Sequence, residues 1–274
     1  LIAATTLTTE GQYGFTTREG AYGDLLFALE RLGAHLINRA HDPSLPTFDD
    51  PSVVAALEQY AGLFRQAPLT PGTPSTQSGW PDALVVGNHP DGVANGKVAM
   101  WIDYITYHAA APPLPFKVGV APLPAGEQAS TEFVVHALFI SAHAAAPQAC
   151  WDWIAYLSGR PELVSALPPR RRVASSPGWQ ARAGDAALPA YRATLAHGDT
   201  SIFRQRWEIP WFAYTYPWLD AAFQATVAGQ DARSALATAQ VQAERLITCL
   251  ETASSFADRE RLRECARQVD PDYP

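Results

Sequence analysis

Lysine is nearly absent from this chain: Lys97 and Lys117 are the only two in 274 residues, methionine occurs once and cysteine three times. With 20 Lys+Arg against 27 Asp+Glu the formal charge is −7. The broad basic footprint that nucleic acid or an anionic membrane surface requires is therefore missing. No uninterrupted apolar run approaches the ~20 residues needed to cross a bilayer. The opening LIAATTLTTEGQYGF has neither a basic start nor an apolar stretch before a small-residue cleavage site, so no signal segment is visible and the front of the chain is expected to be trimmed. The sequence contains no GxSxG, GxGxxG, HExxH or EF-hand loop, and no CxxC or Cys/His cluster with zinc spacing. GVANGKV, from Gly92 to Val98, has three residues rather than four between its glycines and no hydroxyl residue after Lys97, which argues against a phosphate loop. No cofactor or metal is expected.

What is present is an ordinary globular mixture, 47% hydrophobic and 17% charged, long enough to bury a sizeable core. Leucines at 25, 29, 32 and 36 predict a helix from Asp24 to Ile37, weakened at Gly33. FDDPSVVAALEQYAGLF predicts a second, with Asp50 as N-cap, Pro51 in the first turn and Val53, Leu57, Tyr60 and Phe64 on one stripe. Residues 68–90 read as loop. Short strands are expected at Lys97–Ile102, in FKVGV and in FVVHALFIS. Pro147 opens a helix in which Cys150, Trp153, Ile154 and Leu157 share a buried face, and LPPRRRVASSPG reads as an arginine-bearing loop. Helical patterns return at Ala181–Ala196, Pro217–Ala228, Asp231–Leu250 and Asp258–Gln268. Helices separated by a few short buried strands indicate an α/β fold.

Cys249 and Cys265 flank SSFAD, a break between two helical runs. An antiparallel hairpin there would bring them together, and closing a loop of about 16 residues would stabilise the fold by roughly 3 kcal/mol in an oxidising compartment. The alternative is two unpaired core cysteines. Cys150 is expected as a buried helix residue.

The aromatic content, eight Trp, ten Tyr and eleven Phe, is unevenly placed. Trp101, Tyr104 and Tyr107 form one group beside Asp103, and Trp207, Trp211, Tyr214, Tyr216 and Trp218 form another, both among prolines and polar residues. Such rings either plug a core or present flat faces to a ligand; a sugar ring stacks its C–H face on them and needs carboxylate, amide or arginine partners for its hydroxyls. His136, within an apolar run, is either a hydrogen-bonded core residue or a ligand contact.

In this order along the chain, GQYGF, FDDPSVVAALEQYAGLF, GKVAMWIDY with FKVGVAPLPAG, QACWDWIAYLSG with LPPRRRV, and the closing YPWLDAAFQATVAGQDARSALATAQVQAERLI resemble the extracellular solute-binding proteins, family 1, of ABC importers. The resemblance covers roughly residues 1–250 and implies a periplasmic-binding-protein-like, type II bilobal fold. In that scheme residues 1–120 and 168–274 make the second lobe and 121–167 a segment of the first, whose opening βα units are absent. It also implies a monomeric, non-enzymatic protein, periplasmic or extracellular and in some relatives lipid-anchored. Such a protein captures a small solute, by analogy a carbohydrate, in an interlobe cleft and delivers it to the membrane permease subunits. Carried over position by position, it places Tyr22, Asp103 with Trp101 and Tyr104 beside it, Tyr104 or Tyr107 as the stacking ring, Arg170, and Tyr214 or Tyr216 at the ligand; the aromatic grouping adds Trp207, and His136 is the further candidate from its apolar run. A polyamine would suit Asp103 and the rings through cation–π contacts. A secreted glycan hydrolase using paired carboxylates is the rival class, although nothing singles out two of the 27 acids.

Overall fold

The computed structural model describes residues 6–7, 12, 14–15, 20–65, 93–102, 114–124, 126–127, 137–163, 167–184, 187–196, 208–253 and 256–274, with side chains omitted at 20–24, 63 and 65. Two compact units emerge. The first comprises Leu1–Trp101, Ala125–Ser130 and Thr200–Pro274, and the second Ile102–Pro124 and Thr131–Asp199. Residues 168–199, which the resemblance groups with 1–120, thus cluster with 131–163.

The first unit is built on helices. α1 spans Gly20–Arg31 and α2 Pro51–Arg65, with a two-residue antiparallel hairpin between them, β1 Ile37–Asn38 paired to β2 Leu45–Pro46. The helix expected to reach Ile37 stops six residues earlier. Gly33 takes φ +87°, a conformation that favours glycine, and the Ala34 N–H turns back onto the Leu29 carbonyl. Leu36 is nevertheless buried, through the hairpin. α2 begins where its sequence announces it, since Asp50 accepts from the Ser52 N–H at 2.8 Å and from its hydroxyl at 2.7 Å. Those two bonds hold the Asp50 carboxyl below the usual carboxylate range.

After the second unit the chain returns through a 3-10 turn, Pro210–Thr215. It is followed in the first unit by α7 Tyr216–Val227, α8 Ala232–Thr252 and α9 Arg259–Val269. α8 carries the long stripe Leu236, Ala239, Ala243, Leu246 and Leu250, all buried, and packs along α7 and α9. Asp231 caps α8 by accepting from the Ser234 N–H at 2.8 Å, and Asp258 caps α9 through the Glu260 N–H at 2.9 Å. The core joins Leu29, Phe48, Leu57, Phe212, Phe223 and Leu236, each at 0 or 1% exposure. One buried amide ties hairpin to helix: Gln240 accepts from the Phe48 N–H at 2.8 Å and donates to the Pro46 carbonyl at 3.0 Å. Cys249 and Cys265 form a disulfide, with Cα atoms 5.8 Å apart, linking α8 to α9.

The second unit holds α3 Pro147–Leu157, a 3-10 turn Pro161–Leu163, α4 Arg171–Ala174, α5 Pro177–Ala183 and α6 Ala187–Ala196. Its small core centres on Trp179, 1% exposed, which meets the Tyr191 ring edge-on at 6.1 Å. Ser176 caps α5 by accepting from the Trp179 N–H, and Arg182 donates to the Pro161 and Glu162 carbonyls, holding the turn. The single helix expected over Ala181–Ala196 is divided at Gly184, φ +75°, and the expected arginine loop contains α4.

The expected strands are corrected. Among the described residues, Lys97–Ile102 contributes only isolated bridges at Val98 and Trp101, and neither 116–120 nor 137–141 joins a sheet. Residues 114–120 keep the alternating half-buried and exposed pattern of a strand without a ladder beside them. Leu138 and Phe139 are 63% and 89% exposed, with no strand beside them among the described residues. The buried face expected for α3 is corrected too: none of its residues is buried, and Cys150 is exposed. Residues 68–90 lie outside the described set.

Candidate functional site

The aromatic corner where the Pro210–Thr215 turn runs into α7 is the part of the expected site that the structure describes most fully. Pro210 and Pro217 preset the backbone of the two successive N-termini. Thr215 turns its hydroxyl back to the Phe212 carbonyl at 2.7 Å. Phe212 lies edge-on to Trp211 at 5.9 Å and to Tyr216 at 5.3 Å. This geometry turns the Tyr216 ring inward. At 2% exposure its ring is part of the core, because the turn folds it onto Phe212.

Tyr214 is partly exposed, and its polar atoms are engaged by the C-terminal segment. Its hydroxyl donates to the Arg259 carbonyl at 3.3 Å, and its own carbonyl accepts from the Tyr273 hydroxyl at 2.9 Å. The Trp218 indole N–H donates to Asp270 at 2.8 Å, and Tyr273 packs edge-on against the same indole. Burial, with Tyr214 nearby, pushes the Tyr273 hydroxyl up to about 12. The residues after Asp258 therefore lock the outer side of the corner.

Two polar functions at this corner have no hydrogen-bond partner among the described residues, the Trp211 indole N–H and one carboxylate oxygen of Asp220. The other Asp220 oxygen accepts from the Gln224 amide at 2.6 Å. Burial raises the Asp220 carboxyl to about 7, and the Gln224 bond only partly opposes it. Sequence reading did not single out Asp220. Its signal is a lone acid inside the apolar run YPWLDAAF, at a position that turns half inward.

The other expected contacts fall in one unit or the other, or outside the described residues. Trp101 is half-buried at the end of the first unit's 93–101 segment. Tyr22 lies in the first turn of α1, where only the backbone is described. Arg170 is exposed in the second unit, as the residue preceding α4. Asp103, Tyr104, Tyr107, His136 and Trp207 lie outside the described residues. A shallow groove of about 470 Å³ on the first unit, lined by Ala237, Thr238, Val241, Gln242, Arg245 and Val269, contains no aromatic ring. Among the described residues no three His, Cys, Asp or Glu side chains gather as a metal site, and no helix is long and apolar enough to cross a membrane.

Residues 12–162 match the family model of the bacterial extracellular solute-binding proteins. Two solved structures share the fold. An ABC substrate-binding protein from Listeria monocytogenes, in complex with cycloalternan, superposes with a TM-score of 0.56 at 16% identity over 93% of this chain and 62% of its own. An ABC transporter solute-binding protein from Agrobacterium radiobacter K84, in complex with ribitol, gives 0.57 at 19% identity over 89% and 63%. The chain thus spans less than two thirds of the length of either relative. No curated protein sequence matches it.

Proposed function

Because the chain belongs to the bacterial extracellular solute-binding proteins, we propose that it captures a carbohydrate or polyol and passes it unaltered to the permease of an ABC importer. The observation that carries this is the family match over residues 12–162, and both relatives bind polyhydroxylated compounds, cycloalternan in one and ribitol in the other. The residue chemistry is compatible. Ionised carboxylates accept paired hydrogen bonds from neighbouring hydroxyls, and indole and phenol rings cover the C–H face of a sugar. We assign the carboxylate role to Asp103, with Trp101, Tyr104 and Tyr107 as rings and Tyr22 and Arg170 as further contacts. Asp220 offers a second acceptor beside the aromatic corner, whereas Tyr216 supports that corner from within.

The family and both relatives are binding proteins, which favours capture over hydrolysis. The test is calorimetric titration with ribitol and with α-linked oligosaccharides, followed by chromatography of the recovered sugar. Saturable binding, an intact sugar, and at least a tenfold loss of affinity in Asp103→Ala and Trp101→Ala would support the proposal. Cleaved sugar would transfer the chain to the hydrolase reading, and affinity unchanged in both variants would remove those residues from the site.

A further inference from the structure

α9 has little apolar surface with which to hold its place. Of its sequence RERLRECARQV only Leu262, Cys265 and Ala266 are buried, and six of its eleven residues are arginine or glutamate. α7, one residue longer, buries Tyr216, Trp218, Leu219 and Phe223. A helix in a protein is held by the packing of its apolar face, and the face of α9 is narrow, with partial burial of Phe256, Val269 and Tyr273 added at its two ends. A covalent bond supplements it. Cys265, on the buried side of α9, is joined to Cys249 in the last turn of α8. The residues on either side of that bond reach the aromatic corner. At the start of α9 the Arg259 carbonyl accepts from the Tyr214 hydroxyl at 3.3 Å. Past its end, Asp270 accepts from the Trp218 indole N–H at 2.8 Å, and the Tyr273 hydroxyl donates to the Tyr214 carbonyl at 2.9 Å.

We infer that residues 256–274 are a redox-released strap: the Cys249–Cys265 bond latches α9 onto α8, and a dithiol that opens it lets the strap undock, freeing Tyr214 and Trp218 while the helices beneath stay folded. Cys265 is 0% exposed, whereas Cys249 is only half-buried, so Cys249 is the side from which the bond is reached. One thiolate of the dithiol attacks the Cys249 sulfur, and Cys265 leaves as a thiolate that takes up a proton. The second thiol of the reagent then displaces Cys249, which is protonated in turn, and closes a disulfide within the reagent. Two electrons and two protons thereby pass to the two cysteines. The core does not depend on the strap in the same way, since α8 also packs along α7 and α2, and Leu236, Ala239 and Ala243 of its stripe keep those partners when α9 leaves.

Exposed arginines make trypsin a reporter for both helices: Arg259, Arg263 and Arg267 lie on α9, Arg233 and Arg245 on α8. The whole chain is digested under native conditions with and without dithiothreitol, and the cuts are mapped by mass spectrometry after quenching. Opening the bond should speed cleavage in α9 about tenfold and leave Arg233 and Arg245 protected, because cleavage follows local opening. Nitration of Tyr214 should rise in parallel, and reoxidation should restore protection. The double variant Cys249→Ser, Cys265→Ser should be cut at the fast rate with or without the reagent, whereas Tyr273→Phe with the bond intact should stay protected. Equal α9 cleavage with the bond open and closed would overturn the inference. So would equal acceleration at Arg245, which would make the bond a staple of the whole unit, and so would oxidised Tyr273→Phe being cut as fast as the reduced parent. No sugar enters the assay, so the result is independent of the carbohydrate proposal.

Discussion

The two units differ in how much of their apolar surface they cover. In the first, Leu29, Phe48, Phe212, Phe223, Leu236 and Leu246 all reach 0% exposure, and even the amide of Gln240 is buried with its hydrogen bonds made. In the second, the buried apolar side chains among the described residues are Trp179, Ala187, Ala190 and Pro168, while Phe139, Trp151 and Trp153 face solvent. The composition of the two is not the cause, since both are rich in aromatic and aliphatic residues. Among the described residues the first unit has five helices whose stripes face one another. The second has the apolar helix α3, none of whose residues is buried, and burial requires a second surface.

The strongest way to break this contrast is to cut each unit's apolar residues in turn. Phe223→Ala, in the aromatic cluster with Tyr60 and Phe64, should destabilise the chain by about 3–5 kcal/mol in urea unfolding. Trp153→Ala should cost no more than ~0.5 kcal/mol in the same assay. A large loss at Trp153 would show that the second unit's face is already covered in the isolated chain.

The disulfide sharpens the comparison next. Replacing Cys249 and Cys265 by serine should lower stability by roughly 3 kcal/mol on the chain-entropy account, and reductant should have the same effect on the parent chain alone. The loss should appear as faster hydrogen exchange in α9 and around Tyr214, which the C-terminal residues hold, with α5 and α6 unchanged.

A smaller effect is expected from Asp220. Its carboxyl titrates at 3.8 when exposed and at about 7 in the fold, so the folded state binds this proton more tightly. The associated stability is complete below about pH 4, declines as pH rises through the interval to 7, and is gone above it. Asp220→Asn should flatten that decline in thermal unfolding between pH 4 and 8. At pH 8 it should raise stability by ~2 kcal/mol, allowing for the partial exposure of the group. A steeper decline in the variant would refute the burial argument.

Much of the first unit was legible from residue order. Asp50–Pro51, Asp231 and Asp258 announce helix starts through short-range hydrogen bonds, and the stripe Leu236–Leu250 announces its buried face by its period. The spacing of Cys249 and Cys265 across a helical break likewise raised the possibility of their pairing, and the structure joins them. These features depend on neighbours within a few residues or on one helix repeat. The candidate site was less legible, because its members are distant in the chain and their roles depend on which rings turn inward. Tyr216 and Asp220, four residues apart, end as a core ring and a half-buried acid for reasons lying in Phe212 and in burial by other elements.

Local order alone, then, determined the starts and caps of α2, α8 and α9 and the low content of basic residues, since propensity, capping and charge act within a turn or sum over the chain. Tertiary structure decided which aromatic rings of the 210–218 corner are sealed. It also decided that FKVGV and FVVHALFIS do not become strands among the described residues. A strand's hydrogen bonds are made to a neighbour that its own sequence does not contain.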